Sequence, residues 1–201
     1  MYFSQPNRFL IFLAICFLIF LTGIFKIPVL DRDEARFATA SKTMLLEKEF
    51  IDIKMHDEPR YKKPVGIYWL QVGANFIFGN TPYDNISLYR LPSILSLFSA
   101  FMFIFFRLRK ILNNDISFLT IFFLIFSLLT LSEMLQAKTD GALFLTITLC
   151  NLMIYSLIKN HSINYKEKFI FWSALAFGVL IKGPIILIFT IFPLIIFSVI
   201  K

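Results

Sequence analysis

Four short polar stretches interrupt an otherwise apolar chain: Asp33-Glu34-Ala35-Arg36, Arg60-Tyr61-Lys62-Lys63, Ala137-Lys138-Thr139-Asp140 and Lys182-Gly183-Pro184. Carboxylates in such stretches either accept a proton from a reacting group or cap a helix, and ammonium groups either hold an anion or anchor a helix at a membrane surface. For Asp31 and Glu34 capping is the simpler account. Asp31 can be the N-cap and Glu34 the N3 partner in an acidic variant of the capping box. Asp33, with Arg32 and Arg36 nearby, has no such duty and stands out for chemistry. Asp140 lies where one apolar stretch ends and the next begins, a costly place for an acid unless it faces water or a partner. Function and pairing with Lys138 or Lys182 explain it equally well. Lys62 and Lys63 are either anion contacts or interfacial anchors. His56 is a lone histidine on a polar turn and suggests no metal.

The elements that must position these residues are membrane helices. Of 201 residues, 58% are hydrophobic and 16% charged, and Phe alone occurs 26 times. Soluble domains carry about a quarter charged residues, so an ordinary soluble, disordered or collagen-like chain is excluded. Cys16 and Cys150 sit inside apolar runs as small hydrophobes, with no disulfide framework and no Cys/His metal spacing. The first apolar segment, 9–25, has no charge. At ~1.5 Å per residue it just crosses a ~30 Å hydrocarbon core. It is long for a signal peptide and lacks a small-residue cleavage site, so it reads as a retained span. Further spans are expected near 91–106, 116–131, 142–158, 169–181 and 185–200. These are helical because lipid leaves no partner for free backbone groups. The segment 65–78, with Gln71, Gly73 and Asn75, is either a weak span or a helix lying in the interface.

Loop cations favour the second choice. With a cytoplasmic N-terminus and 65–78 not crossing, the inner loops hold Arg8, Arg107, Arg109, Lys110, Lys159, Lys166, Lys168 and Lys201 against Asp115 and Glu167. If 65–78 crossed, the Arg107–Lys110 cluster would move outside, against the positive-inside rule. This distribution, not nucleic acid, accounts for the net charge of +7. The expected architecture is an all-α, polytopic membrane helix bundle forming one transmembrane domain over 1–201. Its outer loop, 26–90, carries juxtamembrane interfacial helices near 33–47 and 65–78. That loop up to Lys63 contains eight of thirteen acids and nine of twenty bases. Phe37, Ala38, Met44 and Leu45 give its first helix an apolar stripe. Residues 54–61 read as a turn, and Pro64 opens the next helix near N1. The 26–63 loop, the 136–141 turn and the 182–184 turn then share the external side.

Taken in order, Asp33-Glu-Ala-Arg-Phe-Ala, Arg60-Tyr-Lys-Lys-Pro-Val-Gly-Ile-Tyr-Trp-Leu, Ala137-Lys-Thr-Asp140 and Gly178-Val-Leu-Ile-Lys182-Gly-Pro184 resemble the polyprenyl-phosphate-dependent membrane glycosyltransferases of GT-C type. The nearest branches are the lipid A aminoarabinose transferases and protein O-mannosyltransferases. The resemblance covers almost the whole chain. It implies a helical bundle that transfers a sugar from a lipid-phosphate carrier to a lipid or protein acceptor outside the cytoplasmic membrane. By the same resemblance Asp33, with Glu34, is the catalytic acidic pair and Lys63 contacts the carrier phosphate. Arg36, Asp140 and Lys182 match further substrate-side positions. Lys62 departs from the pattern, since many relatives have an acid there that in some helps hold a metal. A lysine cannot, so no metal site and no resident cofactor is carried over; the lipid-linked sugar is a substrate.

This chemistry suits these residue types. A polyprenyl phosphate is already a good leaving group and needs cations more than a proton. The attacking hydroxyl needs a base, and a carboxylate meets that need. Relatives have roughly twice as many spans and a soluble C-terminal region, so this chain resembles their N-terminal half. Two alternatives follow: an inactive remnant, or one half of a split enzyme with a separately encoded C-terminal partner. A small transporter or scaffold is a third, opposed by the near absence of ionisable residues in mid-span.

Overall fold

A computed structural model describes residues 5–160, 162 and 164–200. Lys201, counted among the inner cations above, lies outside the described residues. Charged loops separate long apolar stretches, and the backbone answers with helices: α1 (Pro6–Lys26), α2 (Arg32–Glu47), α3 (Gly66–Phe78), α4 (Ile86–Leu108), α5 (Asn114–Ile125), α6 (Leu128–Met134), α7 (Asp140–Asn160), α8 (Tyr165–Lys182) and α9 (Ile185–Ile200). Between α2 and α3 lies a small antiparallel hairpin, β1 (Lys54–Met55) with β2 (Glu58–Pro59), pairing Lys54 with Pro59 and Met55 with Glu58. His56 makes its turn at φ 59°. The all-α class expected from composition is the one observed.

Among the described residues, α1, α4 and α7 are long and apolar enough to cross a membrane, and α5 with α6 makes a fourth if the bent pair is one span. The segment expected as a straight helix over 116–131 is therefore broken, with a 63° bend between α5 and α6. Ser127 makes the break. It takes an extended conformation and its side chain accepts from the Thr130 amide, capping a new helix start inside an apolar run. Helix α8 covers 169–181 but carries Lys166, Glu167, Lys168 and Lys182, and α9 is only 16 residues long. Helix α3, with 13 residues, reaches ~20 Å at ~1.5 Å per residue, short of a ~30 Å core.

The membrane core is phenylalanine packed on phenylalanine. Phe9, Phe98, Phe101, Phe105, Phe118, Ile121 and Ile125 bury against one another between α1, α4 and α5, and Phe9 stacks on Phe105 with ring centroids 3.5 Å apart. The opposite face of α1 exposes Leu10, Ile11, Ile15, Leu18 and Ile19. In lipid such a face costs nothing, so helix association rests on van der Waals fit. Away from this core, Phe37, Met44 and Leu45 of α2 pack on Ile67, Tyr68 and Val72 of α3. That contact ties α2 to α3, and α3 in turn packs on α4 and α8.

Candidate active site

The start of α2 is locked by a buried ion pair. Glu34 and Arg90 are both fully buried. Arg90 Nε donates to Glu34 Oε1 at 2.7 Å and Nη2 to Oε2 at 3.1 Å. The remaining guanidinium protons go to the carbonyls of Ile24, Ile27 and Pro28 at 2.6–2.9 Å. Glu34 also accepts from the Ala137 amide at 2.9 Å and more weakly from Leu30 N at 3.4 Å. One pair thus joins the end of α1, the start of α2, the start of α4 and the 136–139 turn. Asp31 does cap α2, accepting from Asp33 N. The expected reach of Glu34 back to that cap is replaced by the pull of Arg90. Pro64 stands just before the Val65 N-cap of α3, not at N1.

A second set of bonds holds the same turn from α3 and α4. Gln71 Nε2 donates to the Ala137 carbonyl at 3.3 Å, Ser41 Oγ donates to Gln71 Oε1 at 2.7 Å, and Ser93 Oγ donates to the Lys138 carbonyl at 3.2 Å. The polar Gln71, which made 65–78 ambiguous in sequence, is a buried and satisfied side chain. At the far end of α8, Gly183 turns the chain at φ 79° just after Lys182, a conformation glycine adopts without strain. Gly66 matters for closeness: a Cβ there would lie 2.7 Å from the Leu180 carbonyl group of α8. A Gly66→Val variant is expected to lose about 1–3 kcal/mol by overpacking and to part α3 from α8. A lowered melting temperature of the purified chain would register it.

These supports bring four stretches to one place. Asp33, Phe37, Lys63, Lys138, Thr139, Asp140 and Lys182 line a cavity of about 140 Å³. Lys182 Nζ pairs with Asp140 Oδ1, Lys138 Nζ with Asp31 Oδ2, and Arg36 Nη1 with Asp33 Oδ1 at 3.2 Å. Among the described residues Lys63 has no ion-pair partner, so it remains available to an anion. Asp33 is well exposed at the mouth, its side chain 61% accessible, whereas Glu34, one residue on, is turned wholly inward. The structure therefore places Asp33, Lys63, Asp140 and Lys182 together, Arg36 beside them, and Glu34 behind them in the scaffold. Asp140 also lines an apolar cavity of about 420 Å³ formed by Leu97, Leu124, Leu129 and Phe144 at the α5–α6 break. A larger cavity of about 490 Å³ lies elsewhere on α2, around Ala35, Thr39, Lys42 and His56, and holds none of the residues of the polar one. Among the described residues no three His, Cys, Asp or Glu side chains gather as a metal site.

Lys138 and Arg90 escaped the sequence reading as site-forming residues. Lys138 was seen only as a partner for Asp140, although its own place in the turn was the signal. Arg90 is a lone cation entering an apolar helix, which is itself a signal of a buried partner. The Asp31–Lys138 link is sensitive to pH. The Lys138 hydrogen bond, with the Asp33 amide, holds the Asp31 carboxyl below its usual 3.8. Burial alone would lower Lys138, but Asp31, Glu133 and Asp140 outweigh it and raise the ammonium above 10.5. A depressed carboxylate stabilises above its unfolded value and is lost as pH falls through its folded one; a raised ammonium is lost only at high pH. Stability is thus expected to fall below about pH 3.8 less steeply in Lys138→Met than in the parent, measured by melting across an acid series.

The sequence model of the family described as dolichyl-phosphate-mannose-protein mannosyltransferase matches residues 62–201. Two solved structures of ArnT from Cupriavidus metallidurans share the fold with a TM-score of 0.80. The apo form is 16% identical over 96% of this chain, and the form bound to undecaprenyl phosphate is 17% identical over 98%. This chain spans 36% of the length of either. No curated protein sequence matches it.

Proposed function

The chain belongs to the dolichyl-phosphate-mannose-protein mannosyltransferase family, and from that premise we propose that it forms the catalytic face of a membrane glycosyltransferase. The donor in this reading is a sugar on a polyprenyl phosphate, the class of carrier seen in the related ArnT structure. The acceptor is a lipid or protein on the outer face of the cytoplasmic membrane. One observation carries the reading: Asp33, Lys63, Lys138 and Lys182 line one cavity although four separate stretches supply them.

Each group has a task. Lys63, with Lys138 and Lys182 flanking it, holds the carrier phosphate as negative charge grows on its bridging oxygen. Asp140 orients Lys182 and keeps its ammonium at the cavity. The apolar cavity that shares Asp140 accommodates the first isoprene units, so tail and head meet their own environments. Asp33 receives the proton of the acceptor hydroxyl while that oxygen attacks the anomeric carbon and the carbon–phosphate oxygen bond breaks. Carboxylates are weak bases, and holding both reactants in line supplies much of the rate. Arg36 fixes the Asp33 carboxylate. Glu34 serves the site by holding α2 and the 136–139 turn in register.

Membranes containing this chain, alone and with any separately encoded C-terminal half, are to be incubated with labelled polyprenyl-phosphate sugars. Transfer of label supports the reading, and transfer undiminished in Lys63→Ala refutes the phosphate role. Replacing Lys182 with Met is expected to raise KM for the carrier by about tenfold, the loss of one charged contact, with a smaller change in kcat. Cysteines placed at 33 and 182 should react with the same membrane-impermeant reagent from the same side. Labelling from opposite sides would defeat the proposed centre.

A further inference from the structure

One end of the bundle carries a surplus of positive charge that the polar cavity does not use. Arg107 lies in the last turn of α4, ~26 Å along the helix from Arg90 at ~1.5 Å per residue. That distance is close to a ~30 Å hydrocarbon core, so Arg107 stands at the membrane face away from the Asp33–Lys63 cavity. Helices α7 and α8 run between the same two faces, with Asp140 and Lys182 at the cavity. At their far ends are Lys159 in the last turn of α7, and Lys166 and Lys168 in the first turn of α8. Arg109 and Lys110 follow α4 directly. The acids at this end are Asp115 and Glu167, and the Glu167 side chain is engaged with Asn164 in the capping box of α8.

Within that surplus Arg107 is set apart by its seat between α4 and α7. Its Nη2 donates to the buried Ser156 hydroxyl, and its guanidinium lies over the Tyr155 ring, 4.8 Å from the centroid. Neither partner is charged. Among the described residues no carboxylate pairs with Arg107, and its Nε is buried without a hydrogen-bond partner. Lys110 and Lys159 are exposed to solvent, but Arg107 is half-buried. A guanidinium drawn partly out of water without a counter-charge is unfavourable until an anion reaches it. One turn back on the same face of α4, Phe103 is exposed. A cationic head above an apolar flank, between two spanning helices, matches the profile of a phospholipid.

We propose that the α4–α7 groove at Arg107 holds the phosphodiester headgroup of an anionic membrane lipid, in the leaflet away from the polar cavity. The headgroup oxygens accept from the guanidinium, whose planar fork suits phosphate. Lys159, one turn on from Tyr155 on the same helical face, adds a second cation. The acyl chains lie along Phe103. Depth selects a lipid over a soluble anion, because the groove lies where headgroups of that leaflet are already concentrated. The inference does not depend on sugar transfer. Its consequence is mechanical: α4 and α7 also meet at the cavity end, where a Cβ on Gly141 would lie 2.9 Å from the Ser93 carbonyl oxygen. A lipid clamp at the far end steadies the pair of helices that carries Ser93 and Asp140.

The test places the full chain in nanodiscs of phosphatidylcholine, with and without phosphatidylglycerol. Melting temperature and the lipids retained in native mass spectrometry are recorded for each. Phosphatidylglycerol is expected to raise the melting temperature, as any ligand of the folded state does, and to be retained selectively. Arg107→Met is expected to weaken that retention by about tenfold, the loss of one charge-assisted contact, and to remove most of the phosphatidylglycerol increment. Arg107→Lys should keep part of it. An arginine with only a structural role would lower the melting temperature equally in both discs and leave the increment intact; that result overturns the site. Should Arg107→Met not fold, Lys159→Met at an exposed position reads the same increment with a smaller loss, and an unchanged increment there refutes the proposal. The double variant Arg109→Met with Lys110→Met controls for diffuse surface charge. It should leave retention largely unchanged, and a loss equal to that of Arg107→Met would mean no defined groove site. Soluble glycerol 3-phosphate added to phosphatidylcholine discs should give no increment; a full increment from it would overturn the lipid assignment.

Discussion

On the transfer reading proposed above, replacing Asp33 with asparagine is expected to lower sugar transfer by about 10²–10⁴-fold, the range a positioned proton acceptor contributes, and to leave the chain in the membrane at its normal level. The second half of that expectation comes from geometry. The Asp33 side chain is 61% exposed, and among the described residues its ion pair is the one to Arg36 within its own helix. Exposed pairs of this kind contribute about 0–1 kcal/mol. Asparagine keeps the shape and the hydrogen bond to Arg36 but cannot take the proton. Binding of a polyprenyl phosphate is therefore expected to survive, because Lys63 and Lys182 are untouched. Transfer and carrier binding measured on the same preparation separate the two roles: a kcat near that of the parent removes Asp33 from the chemistry.

Much of the fold was legible because its signals are local. Uncharged runs mark α1, α4 and α7, the 13-residue length of α3 leaves it short of a span, and Asp31 announces the start of α2. The break between α5 and α6 was not legible in the same way. Leu124 to Leu131 is apolar but for Ser127 and Thr130, and a serine within such a run is ordinarily tolerated in a helix. Only its extended backbone and the Thr130 amide reveal it as a cap. Hydropathy averages over that single residue.

The site was legible in its ingredients and not in its wiring. Asp33, Lys63, Asp140 and Lys182 were singled out by residue type and by family resemblance, and they line one cavity. What sequence could not supply was the difference between neighbours. Asp33 and Glu34 are adjacent acids at a helix start, and helical geometry turns one outward and the other beneath the helix. Their separation depends on Arg90, 56 positions away from Glu34. The same holds for Lys62 and Lys63, adjacent lysines that line different cavities. A charge read along the chain has no partner until the tertiary contacts exist.

That wiring makes the second large effect one of stability. Replacing Arg90 with methionine strands the fully buried Glu34 carboxylate and takes the guanidinium donor from the Ile24, Ile27 and Pro28 carbonyls, of which Ile24 keeps Ser87 Oγ at 3.0 Å. Breaking a buried pair from one side costs about 3–5 kcal/mol, a large part of the ~5–15 kcal/mol that holds a typical domain. Glu34→Leu strands the guanidinium instead and frees the Ala137 amide, with a similar loss expected. The double variant Glu34→Leu with Arg90→Met removes both charges together. It is expected to melt above either single variant, though below the parent, since Ile24, Ile27, Pro28 and Ala137 still lose their bonds to the pair. Thermal unfolding of the four proteins in one detergent gives the coupling directly. Strict additivity would mean that the pair does not act as a unit. The cycle also bears on the site: as Glu34 and Arg90 fasten α2 to the 136–139 turn, the double variant should recover folding without recovering transfer, because Asp33 and Lys138 are no longer held across one cavity.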